Sequence, residues 1–418
     1  MFQIFSNKVV ANAFWLLSAQ FLTKAISFGY NIFLARSLGP NFYGLFIFGL
    51  TIFGIVSAIS DFGLARFLTR DLAKKPAQAL QFTSQVFTLT GFLSALIIIL
   101  LIVALIIFDK NYQRMTVGVV MLATVFPNTL AQIFQATFVA LEKFRFVAQS
   151  LIFLNLAVTL FGVVAVFVWN TGVTGVVIGF LLAHSLYLLV LYLFLLWEKI
   201  SLTPIIDFKF WLSSLKSAVP YGILTFLGLI YFRIDFVLLT YLRGVTETGF
   251  YGAAYRFLDA VQFIPIGVST VLFPIFVRLH ENSINNLKKI YFKTLSLLAP
   301  VGIVITIALF LAANFLIDLI YGADYQPSIL ALKILAFAIF FQFIHVPGAY
   351  LLFATEKFLK QVLILSVLTV SFNLIANLIF IPLYGFAAAA FITLISEILS
   401  FVIFFSLIWF GVFRNAKG

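Results

Sequence analysis

The chain contains no cysteine and only three histidines among its 418 residues. The absence of cysteine excludes disulfide bonds and thiol chemistry, although it does not settle the compartment. The histidines, His184, His280 and His345, fall on different predicted segments and lack the spacing of metal ligands. The sequence therefore predicts neither a metal site nor a cofactor.

Charge is also scarce, since only 10% of the residues are Asp, Glu, Lys or Arg, whereas 63% are hydrophobic. The apolar residues form about twelve runs between Val9 and Phe413, each close to the roughly 20 residues that cross a bilayer as a helix. Lipid requires every backbone polar group to be bonded internally, and period-2 alternation is absent, so these runs predict helices. We expect an all-α, multi-pass protein of the cell (inner or plasma) membrane.

The basic residues indicate the topology. When the N-terminus is placed inside, most of the 26 Lys and Arg residues fall in cytoplasmic segments, and only Arg36, Lys110, Arg114 and Arg243 fall in the opposite loops. The positive-inside rule then predicts that both termini are cytoplasmic. The excess positive charge is explained by this topology, so membrane lipids are expected partners and nucleic acid is not.

One loop pattern occurs twice in the chain. The stretch from Leu38 to Gly44 is echoed about half a chain later by the stretch from Arg243 to Gly252. Each copy holds six spans, and an even number makes the copies parallel, as in transporters built from two rocking halves. We predict six-helix bundles at 1–200 and 217–418, joined by a cytoplasmic linker at 201–216. No loop groups carboxylates for catalysis, which favours a transporter over an enzyme.

Four cations lie inside predicted spans: Lys24, Arg233, Arg256 and Lys333. Each costs about 2.5–3.5 kcal/mol at mid-membrane unless something offsets the charge. Lys333 lies near a span end and can snorkel to the interface. Arg256 stands three residues before Asp259, so internal pairing is an alternative to ligand binding for this arginine.

Polar side chains also repeat at helical spacing within three spans. They are Gln20, Lys24, Ser27 and Asn31 on the first span, Thr124, Asn128, Gln132 and Gln135 on the fourth, and Gln342 and His345 on the tenth. Such faces suit a hydrated cleft that receives a polyhydroxylated or phosphorylated cargo. The intramembrane acids Asp235, Asp259 and Glu397 are candidates for ion coupling, whereas Asp61 is expected to be structural or to act in gating.

Several short motifs point to a known family. They are Ala35 to Gly44, Asp61-Phe62-Gly63-Leu64 with Arg70, Leu272-Phe273-Pro274, Tyr321 to Tyr325, and Pro382 to Gly385 followed by Ser396-Glu397. In these motifs the chain resembles the oligosaccharide flippases (Wzx-type polysaccharide transporters) of the multidrug/oligosaccharidyl-lipid/polysaccharide exporter (MOP) superfamily. The resemblance covers essentially the whole chain.

The resemblance implies a MATE-like fold of two six-helix bundles. It implies that polyprenyl-diphosphate-linked oligosaccharide moves by alternating access from the cytoplasmic to the outer leaflet, for surface polysaccharide such as O-antigen or capsule. Other polysaccharide-assembly proteins would be partners. Lys24, Arg233 and Arg256 would hold the diphosphate or acidic sugars. The hydroxyl contacts would come from Gln20, Asn31, Asn128, Gln132, Gln135 and Gln342.

Three alternatives compete with this interpretation. A multidrug or organic cation exporter of the same superfamily would favour acidic groups in the cleft, and the stripe around Lys24 argues against it. The major-facilitator fold is also built from two parallel halves, but the segment Ser60 to Arg66 lacks that family's basic loop signature. A membrane scaffold that transports nothing would not need polar stripes on several helices.

Overall fold

The structure, a computed structural model, describes residues 7–355 and 358–414. Within these ranges the chain is helical and contains no strand, which confirms the all-α prediction. The helices are α1 (Asn7–Asp61), α2 (Leu64–Lys74), α3 (Ala79–Phe108), α4 (Tyr112–Ala140), α5 (Phe144–Phe167), α6 (Gly172–Trp197), α7 (Phe208–Leu242), α8 (Val245–Val261), α9 (Phe263–Asn282), α10 (Ile284–Ile320), α11 (Ser328–Ala354), α12 (Leu359–Tyr384) and α13 (Phe386–Ser406), followed by a π-helical end at Leu407–Arg414.

Eleven helices of the described ranges are long and apolar enough to cross a membrane. The first of them, Ser18–Asp61, is broken at Gly39, where φ is 71° and ψ is 172°. Pro40 follows the break, and its ring and missing N–H suit the start of a new helical segment. The first two predicted spans therefore share one interrupted helix, which accounts for the difference between about twelve predicted spans and eleven helices.

The chain divides into two compact units. The N-terminal unit comprises the residues up to Leu38 together with Leu45–Arg233, and the C-terminal unit comprises Gly39–Gly44 together with the residues from Ile234 onward. In the N-terminal unit α4 packs against α2, α3, α5 and α6. In the C-terminal unit α11 packs against α8, α9, α10, α12 and α13. The central helices of the two units are thus the fourth and tenth predicted spans, which are mates in the repeat.

Each unit contains its own apolar core. Leu68, Phe134 and Leu191 are buried in the N-terminal unit, and Phe276 and Leu351 are buried in the C-terminal unit. Large apolar side chains are also widely exposed on the helices. Inside a membrane these surfaces face lipid at no cost, so packing and interhelical hydrogen bonds hold the helices together rather than exclusion of water.

The repeated loop pattern has a repeated backbone geometry. Gly39 and Gly244 both adopt extended conformations with positive φ, at φ 71° and ψ 172° and at φ 102° and ψ 168° respectively. Asn41 stands two residues after Gly39, and Thr246 stands two residues after Gly244. Asn41 Nδ2 donates a hydrogen bond to Thr246 Oγ1 at 3.1 Å. Equivalent positions of the two copies therefore contact each other within the C-terminal unit.

Two further equivalent glycines lie where these copies cross. A Cβ atom on Gly44 would lie 1.7 Å from the Val245 carbonyl oxygen, and one on Gly249 would lie 2.0 Å from the Pro40 carbonyl oxygen. Both neighbours are backbone atoms, which cannot move aside as a side chain can. We call this contact the Gly44–Gly249 crossing.

The Asp-x-Gly-Leu motif forms the turn between α1 and α2. Phe62 and Gly63 have φ values of 48° and 82°, a left-handed conformation that glycine adopts without strain. The Asp61 carboxylate accepts hydrogen bonds from the backbone N–H groups of Gly63 at 3.1 Å and of Ala65 at 2.9 Å. Asp61 therefore caps the first turn of α2, which is a structural role, one of the two roles that the sequence left open for it beside gating.

We expect the Asp61→Ala variant to be destabilised by about 1–2 kcal/mol, because two backbone donors lose their charged acceptor. Thermal unfolding in detergent measures this loss. The matched control is Asp71→Ala, since Asp71 binds Arg70 on a partly exposed surface where an ion pair contributes about 0–1 kcal/mol. A variant of Asp61 with an unchanged melting temperature and lost transport would contradict the structural role and indicate gating.

Candidate functional site

The polar stripe on α1 has two different environments within the N-terminal unit. The side chains of Gln20 and Lys24 are exposed, whereas Asn31 is only 5% exposed. Asn31 Nδ2 donates to the Ser27 carbonyl oxygen at 2.7 Å, one turn earlier on the same helix. Gln20 and Lys24 are therefore accessible to a ligand, and the Asn31 amide is engaged locally.

The polar stripe on α4 divides in the same way. Asn128 is buried, and its Nδ2 atom donates to Ser57 Oγ on α1 at 3.2 Å, which joins the two helices. Gln132 and Gln135, one and two turns further on, are half-buried and form no hydrogen bond to another residue in the described part of the chain. Within this stripe, the amides of Gln132 and Gln135 are therefore available to a ligand.

The two predicted arginines lie in different units. Arg233 is the last residue of the N-terminal unit and is half-buried. Arg256 belongs to the C-terminal unit, where its Nη1 atom lies 3.4 Å from Asp259 Oδ2 and its guanidinium also bonds the Tyr43 hydroxyl. The internal pairing that the sequence left open for Arg256 is therefore present.

Asp235 is buried in the C-terminal unit and only 3% exposed. Its Oδ2 atom accepts a hydrogen bond of 2.6 Å from the Tyr251 hydroxyl, and its Oδ1 atom accepts one of 2.9 Å from the Phe236 N–H. The same hydroxyl lies 3.0 Å from Thr393 Oγ1 on α13. Asp235 thus takes part in a polar network that links α7, α8 and α13.

Glu397 on α13 is fully buried. Gln342 Nε2 on α11 donates to Glu397 Oε1 at 3.1 Å, and His345 Nδ1 lies 3.0 Å from Glu397 Oε2. Among the described residues no Lys or Arg forms an ion pair with this carboxyl group. The structure therefore places Glu397, Gln342 and His345 together, whereas the sequence named Gln342 as a hydroxyl contact and Glu397 as a separate ion-coupling candidate.

Arg70 and Asp71 form an ion pair outside the membrane spans. Arg70 donates hydrogen bonds of 2.8 Å and 3.1 Å to the two oxygens of Asp71, and these bonds hold the pKa of the Asp71 carboxyl below its ordinary value. In residues 7–355 and 358–414, no group of three or more His, Asp and Glu side chains is arranged to hold a metal ion.

The comparisons with known proteins agree with this architecture. Residues 9–280 match the family model "Polysaccharide biosynthesis protein", and the chain belongs to that family. The chain is 21% identical to an uncharacterized membrane protein of Methanocaldococcus jannaschii over 97% of this chain and 84% of that protein.

Two solved structures share the fold. One is an inward-facing multidrug resistance MATE family transporter of the MOP superfamily, with 14% identity, coverage of 95% and 96% of the two chains and a TM-score of 0.76. The other is the lipid II flippase MurJ in an inward closed conformation, with 17% identity, coverage of 94% and 87% and a TM-score of 0.73. The fold predicted from the family resemblance is confirmed: the chain is a multi-pass, all-helical membrane protein with the fold of these two structures.

Proposed function

We propose that this protein translocates polyprenyl-diphosphate-linked oligosaccharide from the cytoplasmic to the outer leaflet of the cell (inner or plasma) membrane for surface polysaccharide biosynthesis. The observation that carries this proposal is Lys24. It lies within a candidate membrane span, its side chain is exposed, and it forms no ion pair with any other described residue. A cation in that setting is costly unless an anionic ligand or water meets it.

The head group that fits this cation is a diphosphate. Arg233 is the second proposed contact, and Arg256 is a third, which would have to share its guanidinium with Asp259. Gln20, Gln132 and Gln135 would contact sugar hydroxyls, because their amides are accessible or uncommitted. The polyprenyl tail would stay in lipid. The membership in a polysaccharide biosynthesis family and the fold shared with a lipid II flippase support a lipid-linked cargo.

The membrane potential supplies part of the driving force in this proposal. One charge crossing 100 mV is worth about 2.3 kcal/mol, so a diphosphate with about two negative charges gains roughly 4–5 kcal/mol on leaving a negative interior. We therefore expect translocation to accelerate when the compartment from which the cargo leaves is made negative. A translocation rate that stayed the same under membrane potentials of either sign would contradict this part of the proposal.

The test of the function uses the purified protein in proteoliposomes. A fluorescent polyprenyl-diphosphate oligosaccharide is incorporated, and its arrival in the outer leaflet is scored by a membrane-impermeant glycosidase. Uptake of a cationic dye is followed in parallel, with protein-free liposomes as the control. Protein-dependent movement of the glycan supports the proposal, whereas movement of the dye alone would replace it with export of organic cations, the alternative from the sequence.

A further inference from the structure

The helix α2 has a buried apolar face and an exposed basic face. It packs against α3 and α4 of the N-terminal unit. The buried side chains are Leu64, Phe67, Leu68 and Leu72. On the other side of the helix, Arg66, Arg70 and Lys74 follow one another at four-residue spacing, and all three are exposed. Lys75, which ends the helix, is exposed as well. The outer side of this amphipathic helix therefore carries a strip of positive charge.

The first turns of α7 carry a second exposed basic strip. Lys209 and Lys216 stand seven residues apart, which places them on one face of the helix, and both are exposed. Large apolar side chains accompany them, since Phe208 and Leu212 are 74% and 59% exposed. Asp207 accepts a hydrogen bond of 3.0 Å from the backbone N–H three residues later, so this acid caps the helix. Exposed lysines beside exposed apolar side chains are typical of a helix at the membrane interface.

The helices α2 and α7 contact each other within the N-terminal unit. A Cβ atom on Gly63, which precedes α2, would lie 2.6 Å from the Ala218 carbonyl oxygen of α7. Further along α2, Arg70 Nη1 donates a hydrogen bond to the Tyr221 hydroxyl of α7 at 3.2 Å. The two basic strips therefore lie at the same end of the unit. We call their cations the α2–α7 basic surface: Arg66, Arg70, Lys74, Lys75, Lys209 and Lys216.

The α2–α7 basic surface lies beside the membrane spans. The helix α2 falls between the candidate spans Ser18–Asp61 and Pro76–Phe108, and the candidate span within α7 begins at Thr225. The sequence predicts that this side of the membrane is cytoplasmic. Clusters of Lys and Arg directly beside a span, or on an amphipathic helix, recognise anionic lipid head groups. The position of the surface therefore suits contact with the leaflet next to it.

The surface keeps an excess of positive charge. The segments that form it, 62–75 and 207–216, contain six Lys and Arg residues and two acids. One of the acids, Asp71, pairs with Arg70 at 2.8 Å and with Lys74 at 3.7 Å. Three lysines of the surface form no ion pair with any residue in the described part of the chain: Lys75, Lys209 and Lys216. Their charges are therefore available to an anionic partner.

We propose that the α2–α7 basic surface binds the head groups of anionic phospholipids in the adjacent leaflet. Its lysines and arginines contact the lipid phosphates, while Phe208 and Leu212 insert between the head groups. These exposed apolar side chains favour a lipid over a soluble acidic protein as the partner. Bound lipid holds α2 and the start of α7 at the membrane surface. The site is independent of the cargo, so it does not rest on the proposed function.

Lipid preference at this surface is measured by tryptophan quenching in vesicles. Trp211 lies between Lys209 and Lys216 in the chain, and the other four tryptophans are replaced with phenylalanine. Brominated phosphatidylglycerol and brominated phosphatidylcholine each quench Trp211 according to their local concentration. We expect the full-length protein to prefer the anionic phosphatidylglycerol, and we expect added salt to weaken this preference. Equal quenching by the two lipids overturns the proposal and leaves the surface to a soluble acidic partner.

Substitutions show whether these cations cause the preference. Lys209→Gln and Lys216→Gln should each lower the relative affinity for phosphatidylglycerol by up to about fivefold, the contribution of one cation near an anionic membrane surface. Lys209→Arg and Lys216→Arg keep the charge and should keep the preference. Arg66→Gln should act like the glutamine variants, whereas Arg70 is left in place because its bond to Tyr221 joins α2 to α7. An unchanged preference in the double variant Lys209→Gln with Lys216→Gln overturns the proposal.

Two lysines of the C-terminal unit separate a local site from general attraction to a basic protein. Lys289 and Lys293 are exposed, and the sequence predicts that they lie on the same side of the membrane. Replacing both with glutamine removes as much charge as the Lys209 and Lys216 double variant does. We expect this control to leave the lipid preference at Trp211 unchanged, and all variants to elute like the wild type because the substituted side chains are exposed. An equal loss of preference in both double variants overturns the site, because net charge alone then attracts the lipid.

Discussion

Replacing Lys24 with alanine is expected to lower the rate of glycan translocation by about tenfold to a hundredfold. A hydrogen bond to a charged group contributes about 1.5–3 kcal/mol, and Lys24 would lose its contact with the diphosphate in the step that carries the head group. Arg233→Ala is expected to have an effect of similar size. The exposed position of Lys24 means that folding should be unaffected. The measurement is the glycosidase-protection assay, together with the elution profile of each purified variant.

Two variants sharpen this experiment. Lys24→Arg keeps the charge and should retain most of the activity, whereas Lys24→Gln removes the charge at similar size and should behave like the alanine variant. The matched control is Lys333→Ala, because Lys333 is also a lysine within a span but lies 5.7 Å from the centre of the Phe310 ring. Equal transport by the wild type and by the Lys24 and Arg233 alanine variants would remove both residues from the site.

The spacing of residues along one helix predicted contacts within that helix well. Arg256 and Asp259 stand three residues apart and pair, and the stripe from Gln20 to Asn31 lies along one helix. Spacing does not predict how deeply each member of a stripe is buried, because that depends on which neighbouring helix covers it. Asn31 is therefore buried although Lys24, on the same face, is exposed.

Contacts between different helices could not be predicted from the sequence alone. Gln342 and His345 share a face by their spacing, and Glu397 was recognised as an intramembrane acid, but the sequence contains no signal for the relative register of α11 and α13. The Tyr251 contact with Asp235 was missed for the same reason. A buried carboxyl group requires hydrogen-bond donors. Polar residues on the other apolar helices were therefore the sequence signal for such a contact.

The continuity of α1 shows a similar limit. The Gly39-Pro40 pair predicted a loop between two spans, whereas the structure accommodates both residues in an interrupted helix. A glycine with positive φ followed by proline is compatible with either outcome. Packing of Gly39–Gly44 with the C-terminal unit decides between them.

The second large effect is expected at the Gly44–Gly249 crossing. Gly44→Ala and Gly249→Ala should each destabilise the protein by about 3 kcal/mol, because the new methyl group meets a backbone carbonyl oxygen and two helical segments must separate. The expected result is a lower melting temperature in detergent and a smaller monodisperse fraction. The double variant should be destabilised by less than the sum of the two single variants, because one separation of the two helical segments relieves both clashes.

Two other glycines on membrane-spanning helices provide controls. Gly54 on α1 and Gly267 on α9 have open space where a Cβ atom would lie. Replacing either with alanine removes only the entropic cost of glycine and should stabilise the protein by up to about 1 kcal/mol. If Gly44→Ala and Gly249→Ala melted like these controls, the segments would have room to move apart, and close packing of the two repeat copies would not be what holds this end of the C-terminal unit together.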